Sequence, residues 1–369
     1  MKENSTSQQW KEATRLAQIG NHGKDQTGAV STPIYLSTTY AHPELGQSTG
    51  FDYTRTANPT RQVVEAALAE LEQGRYGFAT SSGMSAIQLV LEIFPSGSHF
   101  LVSRDLYGGS YRYFQDLEKR GVSRYTYFDT IDHLQQLITP QIAGVFLETP
   151  TNPLMGECDI AQVAALAKQH QTLLIVDNTF LTPILQKPLT LGADIVIHSA
   201  TKFLGGHNDL LAGAVITDSQ SLGEQLAFAL NTTGAVLAPF DSWLLIRGLK
   251  TLALRVTQQE KNAKRVVDFL RQAPEIKEVL YPGKGSMISI KLQSALSIAP
   301  FLRALSLFTF AESLGGVESL ITYPTTQTHA DIPEELRHSY GLTDNLLRLS
   351  IGIEDAEDLI EDIRHALNG

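Results

Sequence analysis

Five short apolar runs constrain the fold more than any other feature of the chain: HFLVS (99–103), AGVFLE (143–148), TLLIVD (172–177), DIVIH (194–198) and LAGAVIT (211–217). Each is continuous rather than alternating, which is the pattern of a strand covered on both faces. Between them, Met84–Phe94, Gly109–Arg120, Ile160–His170 and Pro183–Leu191 read as helices. Strand–helix alternation of this kind predicts an α/β fold with a mostly parallel sheet flanked by helices. Ligands of such sheets sit beyond the carboxyl ends of the strands.

The rest of the chain divides around that sheet. Residues 1–50 predict an extended N-terminal arm, with a short helix at Gln9–Ile19 followed by the punctuated stretch STPIYLSTTYAHPELGQSTG. Residues 51–245 hold the sheet, ending in helical stretches at Leu222–Leu230 and Ser242–Leu270 that straddle the boundary. Residues 246–369 predict a smaller α+β domain, with strands at Met287–Lys291 and Leu347–Ile351 and helices at Ala299–Leu305 and Ala356–Leu367.

Composition narrows the function classes. Lys plus Arg number 29 against 39 Asp plus Glu, a net charge of −10. That balance argues against a nucleic-acid binder, which needs basic stripes to displace phosphate counterions, and against an anionic membrane surface. The single cysteine, Cys158, excludes an internal disulfide and shows no activating neighbour. The polar start MKENSTSQQWKEATRLAQIG has no apolar leader, and no run reaches the ~18 residues of a membrane span. The expectation is a cytoplasmic protein acting on small molecules.

Candidate chemistry collects at the strand ends. In HSATKFLGG, Lys202 follows the DIVIH strand and is flanked by Ser199 and Thr201. An amine in such a place, partly desolvated, can act as a nucleophile or Schiff-base partner; in a polar turn it can equally be a surface lysine. Asp177 ends LLIVD, where a carboxylate needs a cation or donor, whether a protonated ring nitrogen, an Arg or a helix start. In SSGMSAI, Gly83 and Met84 open a helix whose backbone N–H groups suit a phosphate, although Ser81 or Ser82 also makes an ordinary cap. Tyr107 precedes Gly108 and Gly109, which permit a flat ring to stack closely. Arg348, inside the apolar run LLRLS, requires an anionic partner, either a substrate carboxylate or an internal acid. Tyr53, Arg55, Arg112, Asn152, Glu312 and Ser313 complete the candidates.

Several motifs are missing. No G-x-S-x-G, H-E-x-x-H or cysteine pair occurs, and no G-x-G-x-x-G follows a strand. His198, His207 and Asp209 have no metal-ligand spacing, so no metal is expected. An amine, a buried acid, a phosphate cradle, a stacking ring and a carboxylate-binding Arg are together what pyridoxal 5'-phosphate (PLP) requires.

From PIYLSTTY (33–40) to LLRLSIGIE (346–354), the chain resembles the Cys/Met-metabolism family of PLP-dependent enzymes, of fold type I. The resemblance rests on SATKFLGGHNDLLAG, VDNTF and SSGMSAI together, and it is greatest to the cystathionine gamma-synthase and O-acetylhomoserine thiolyase branches. It implies that Lys202 is the Schiff-base lysine, that Asp177 pairs with the pyridine nitrogen and that Tyr107 stacks on the ring. Gly83, Met84, Ser199 and Thr201 would hold the phosphate. Tyr53 and Arg55 would reach the cofactor of a neighbouring subunit. Asn152, Glu312, Ser313 and Arg348 would bind substrate, and Arg112 would suit a second acidic group. The family is usually a homotetramer of active dimers.

The resemblance further implies gamma-replacement on an O-acyl-L-homoserine with L-cysteine, or with sulfide. Methionine gamma-lyases place a Cys where Gly109 stands, which counts against that activity. The alternatives carried forward are a cystathionine gamma-lyase and, from other classes, a nicotinamide-dependent α/β oxidoreductase or a non-catalytic α/β binding protein. Neither the acyl group nor the balance of synthase and lyase activity is legible in these residues.

Overall fold

The computed structural model describes residues 10–21, 27–294 and 297–368. Residue 9, the first of the helix expected in the arm, lies outside them. A seven-stranded sheet is built from β1 (Tyr76–Thr80), β2 (Ser98–Ser103), β3 (Ser123–Phe128), β4 (Gly144–Glu148), β5 (Leu173–Asp177), β6 (Ile195–His198) and β7 (Gly213–Thr217), in the order β1-β7-β6-β5-β4-β2-β3. The pairs from β6 through β3 are parallel, while β7 runs antiparallel to both β6 and β1. A second sheet comprises β8 (Ile276–Leu280), β9 (Met287–Leu292), β10 (Thr309–Phe310), β11 (Leu320–Thr322) and β12 (Leu346–Ser350), in the order β10-β11-β12-β9-β8.

The helices are α1 (Glu12–Ala17), α2 (Pro59–Glu72), α3 (Gly83–Leu91), α4 (Gly108–Lys119), α5 (Ile131–Leu137), α6 (Ile160–Gln169), α7 (Thr182–Leu185), α8 (Gln220–Thr233), α9 (Pro239–Lys250), α10 (Leu252–Leu270), α11 (Ile298–Ala304), α12 (Glu334–Ser339) and α13 (Ala356–Asn368). None is long and apolar enough to cross a membrane.

The five expected strands form, and the sheet gains two more at its edges, β1 and β3. Edge strands are only partly covered, so YGFAT and SRYTYF lack the unbroken apolar run that marks the interior. In the interior, Val145, Leu147, Leu174, Ile175, Val176, Ile195, Val196 and Ile197 are fully buried. Each such side chain contributes roughly 1.5–3 kcal/mol relative to exposure.

Two helical expectations are corrected. Ser242–Leu270 is two helices, α9 and α10, broken at Thr251. Pro183–Leu191 splits into α7 and a 3-10 turn at Pro188–Leu191, because Pro188 cannot continue a helix. α1 is docked, with Leu16 and Ile19 buried among Leu245, Ile246 and Leu249. From residue 27 to 54 the chain then runs without helix or strand and largely exposed.

Candidate active site

A cavity of about 250 Å³ opens at the carboxyl ends of β4, β5 and β6, closed on one side by the second sheet. Its lining includes Gly83, Met84, Tyr107, Asn152, Asp177, Ser199, Thr201, Lys202, Glu312, Ser313 and Arg348. Three expected residues are not among them. Arg112 is exposed and pairs with Asp331 (Nη1–Oδ2, 2.6 Å) rather than facing the cavity. Tyr53 and Arg55 lie at the surface beside α8, where Arg55 Nη1 donates to Asn231 Oδ1 at 2.9 Å. Arg61, buried at the start of α2, holds that segment by donating to the Thr54 and Arg55 carbonyls.

Lys202 enters from the turn after β6. Its Nζ donates to Ser313 Oγ at 3.0 Å and forms no ion pair among the described residues. Burial, reinforced by the nearby Arg348 charge and opposed by Glu312, lowers its amine to about 8. An uncharged nucleophilic amine is therefore accessible near neutral pH.

Asp177 ends β5. Its Oδ1 accepts both the Thr179 N–H (3.0 Å) and the Thr179 hydroxyl (2.6 Å), an Asx-type turn written in the sequence DNT. Its Oδ2 accepts no hydrogen bond among the described residues. Among the described residues no Arg pairs with this acid, and its bonds go to Thr179 rather than to the start of α7. Burial raises the carboxyl, and the two Thr179 bonds and the His198 charge oppose that rise.

The phosphate-sized corner lies at the start of α3. Ser82 Oγ caps the helix by accepting the Ser85 N–H at 3.0 Å, leaving the Gly83 and Met84 N–H groups without helical acceptors. A Cβ added to Gly83 would lie 2.8 Å from Ser199 Oγ, so only glycine keeps this cradle open. Ser199 Oγ makes no hydrogen bond among the described residues, its backbone N–H alone being bonded, to Thr179 Oγ1. Thr201 is spent differently: its hydroxyl donates to the Ala212 carbonyl and accepts the Ala212 N–H.

Tyr107 stands over the cavity at the start of α4. A Cβ on Gly109 would come within 2.4 Å of its ring, which explains the glycine there. Arg348, in the middle of β12, is almost fully buried yet has no carboxylate within ion-pair distance among the described residues. Instead it donates to Asn152 Oδ1 (2.8 Å), the Ser313 carbonyl (3.0 Å) and Thr322 Oγ1 (3.1 Å). Its Nε is buried without a partner. Among the described residues no internal acid pairs with it, the nearest acidic influences being Glu148 and Glu312. Ser313 bends into positive φ (105°), which directs its carbonyl to Arg348 and its hydroxyl to Lys202. Glu312 sits exposed at the mouth without an ion pair among the described residues.

Three contributors have no place in the reading of the sequence. Thr179 orients Asp177. His329, fully buried, bonds the Asn152 carbonyl through Nε2 at 2.9 Å and Thr328 Oγ1 through Nδ1 at 2.8 Å. Glu148, at the end of β4, accepts the Tyr107 N–H at 3.0 Å. The signal for Glu148 was the one used for Asp177, an acid closing an apolar strand; His329 carried none.

The donor set fits a flat anionic heterocycle: orphan N–H groups and a free serine at one corner, an unpaired acid oxygen, an open amine and an uncompensated Arg. PLP has this chemistry. His198 binds Glu72 on the far side (2.6 Å), and Cys158 is half-buried with its thiol pushed up to about 11 by burial.

The comparisons point to the same cofactor. The model of the family described as Cys/Met metabolism PLP-dependent enzyme matches residues 13–368. A cystathionine gamma-synthase/O-acetylhomoserine (thiol)-lyase of Bacillus subtilis is 59% identical over 356 residues, covering 96% of this chain and 95% of that protein. A cystathionine gamma-synthase of Haemophilus influenzae is 52% identical over 363 residues, 98% of each. The crystal structure of a cystathionine gamma-lyase from Lactobacillus plantarum, complexed with L-serine, superposes with a TM-score of 0.95 at 41% identity, covering 97% of this chain and 99% of that one.

Proposed function

The chain belongs to the Cys/Met-metabolism family of PLP-dependent enzymes, and from that premise we propose that it replaces the γ-acyloxy group of an O-acyl-L-homoserine with the thiol of L-cysteine. Sulfide is an alternative acceptor. The observation that carries the choice of reaction is the 59% identity, end to end, with a relative described as both gamma-synthase and thiol-lyase. PLP dependence removes the nicotinamide and non-catalytic readings.

When bound, the cofactor supplies an electron sink for negative charge developing on the substrate carbons. The protein does the rest. Lys202 would hold the cofactor's carbonyl carbon and, once released, take and return protons at its Nζ. Asp177, through the oxygen left free by Thr179, would keep the ring nitrogen protonated. The Gly83 and Met84 N–H groups and Ser199 would hold the phosphate, with Thr201 shaping the corner through Ala212. Tyr107 would cover the ring. Arg348, with Asn152 and Ser313, would take the substrate carboxylate, since a buried guanidinium with only neutral acceptors is short of one negative charge. Glu312 at the mouth suits an incoming ammonium group.

Arg112 reaches a second acidic group only by leaving Asp331. Tyr53 and Arg55 serve the cofactor phosphate of a neighbouring subunit, in a homotetramer of active dimers. Their surface position supports this, as do the exposed apolar side chains Leu36, Leu45 and Phe228. A cytoplasmic setting remains the expectation from the lone cysteine.

The rival reading is cystathionine gamma-elimination, supported by the gamma-lyase structure at TM-score 0.95. Steady-state assays of O-acetyl- and O-succinyl-homoserine with cysteine, against cystathionine alone, decide the matter by mass spectrometry. A higher kcat/KM for cystathionine formation is expected. Faster 2-oxobutyrate release from cystathionine alone would favour the lyase.

A further inference from the structure

Glu148 is a buried acid that the mechanism above does not use. It ends β4 as Asp177 ends β5, and the parallel register sets the two side by side. Paired residues of neighbouring strands point to the same face, and the strands lie about 4.8 Å apart. Two carboxylates so placed, Glu148 buried and Asp177 half-buried at the same cavity, disfavour each other's ionisation.

The hydrogen bonds decide which one keeps the proton. Asp177 receives two donors on Oδ1, the Thr179 N–H and hydroxyl, and both favour its ionised form. Glu148 receives one, the Tyr107 N–H on Oε2. Its other charged neighbours are Asp105 behind it, which opposes ionisation, and Arg348 across the cavity, which favours it. Burial comes first among the influences on Glu148 and raises its carboxyl well above the usual range. A charged Glu148 would also partly neutralise Arg348 and weaken its hold on a substrate carboxylate.

We propose that Glu148 is a positioning residue: it keeps the proton of the Glu148/Asp177 pair, so that the negative charge rests on Asp177, and it anchors the backbone of Tyr107 over the cavity. The inference deepens the functional reading, because it matters for the cofactor only if Asp177 faces the ring nitrogen.

The test uses the full-length PLP-loaded enzyme and its Glu148→Gln, Glu148→Ala and Asp177→Asn variants, read by infrared difference spectroscopy and by the dissociation constant for PLP. The wild-type minus Glu148→Gln spectrum at pH 7.5 should show the carbonyl stretch of a protonated acid and no carboxylate band. Gln is neutral and still accepts the Tyr107 N–H, so PLP affinity should stay within about threefold of wild type. Ala leaves that N–H without its acceptor and should weaken PLP about tenfold. Asp177→Asn should weaken it by about 100-fold or more. A carboxylate band assigned to Glu148, or a Glu148→Gln affinity as poor as that of Asp177→Asn, would overturn the proposal. An Asp177→Asn enzyme that binds PLP like wild type would count against the ring-nitrogen reading instead, while the infrared difference would still decide where the proton sits.

Discussion

Arg348 Nη1 donates to Asn152 Oδ1 at 2.8 Å, joining the second sheet to the loop after β4, and no carboxylate of the described residues lies at ion-pair distance from the guanidinium. Burial costs a cation several kcal/mol, and three neutral acceptors recover only part of it. On the proposed reading, an anion brought from outside completes the site.

Substituting Arg348 tests this directly. Arg348→Ala should lower kcat/KM by about 100-fold or more, in keeping with the roughly 2–5 kcal/mol attached to one partner of a buried charge pair. Most of the loss should fall on KM. Arg348→Lys should recover little of it, because an ammonium cannot reproduce the planar fork. Steady-state kinetics on an acyl-homoserine make the comparison; an unchanged KM would place the substrate carboxylate elsewhere.

The Lys202 amine, lowered to about 8, sets the rate at which the cofactor-free protein captures PLP. Only the unprotonated amine reacts, so the rate should rise with pH through about 8 and level off above it. Rapid-mixing absorbance measurements between pH 6 and 10 give the profile. A midpoint near 10.5 would mean that the lysine is solvated and the cavity open to water.

At Gly109 the expected effect is steric. Any Cβ there presses on the Tyr107 ring. Gly109→Cys should displace the ring and weaken PLP binding about three- to tenfold, the range of roughly 0.5–1.5 kcal/mol for an aromatic stack. Tyr107→Leu should show a similar loss, and the double variant little more than either. Additive losses would show that the glycine serves some other contact.

His329 ties stability to pH. Burial and the Arg348 charge push its imidazole down to about 4, so it is neutral in the fold. A depressed imidazole contributes its full stability above the unfolded value near 6.5 and loses it as pH falls toward 4. The loss is on the order of 3 kcal/mol across that window. Thermal melts from pH 4 to 7 should be steeper for wild type than for His329→Gln. Parallel curves would assign the acid limb to other groups.

Much of the fold could be read from the chain because interior strands of a covered sheet carry their own label, an unbroken apolar run such as LLIVD. The edge strands β1 and β3 carried none, since one side of each meets helices only partly and tolerates Gly, Ser and Arg. The break at Thr251 escaped notice because the apolar stripe continues through α9 and α10 in nearly the same phase. Within the site, residues on recognisable turns (Lys202, Asp177, Gly83, Tyr107) fall around one cavity. Arg112 does not, because its partner Asp331 is 219 residues away and only the folded chain brings them together. His329 stayed invisible for the same reason: its value lies in a bond to the Asn152 carbonyl, 177 residues distant.

The most direct test of the account is to reduce the purified, PLP-loaded protein with borohydride, digest it and map the cofactor by mass spectrometry. The account predicts a single modified peptide carrying reduced phosphopyridoxyl on Lys202, absent from Lys202→Ala. Attachment at another lysine, or none in a fully active enzyme, would contradict it.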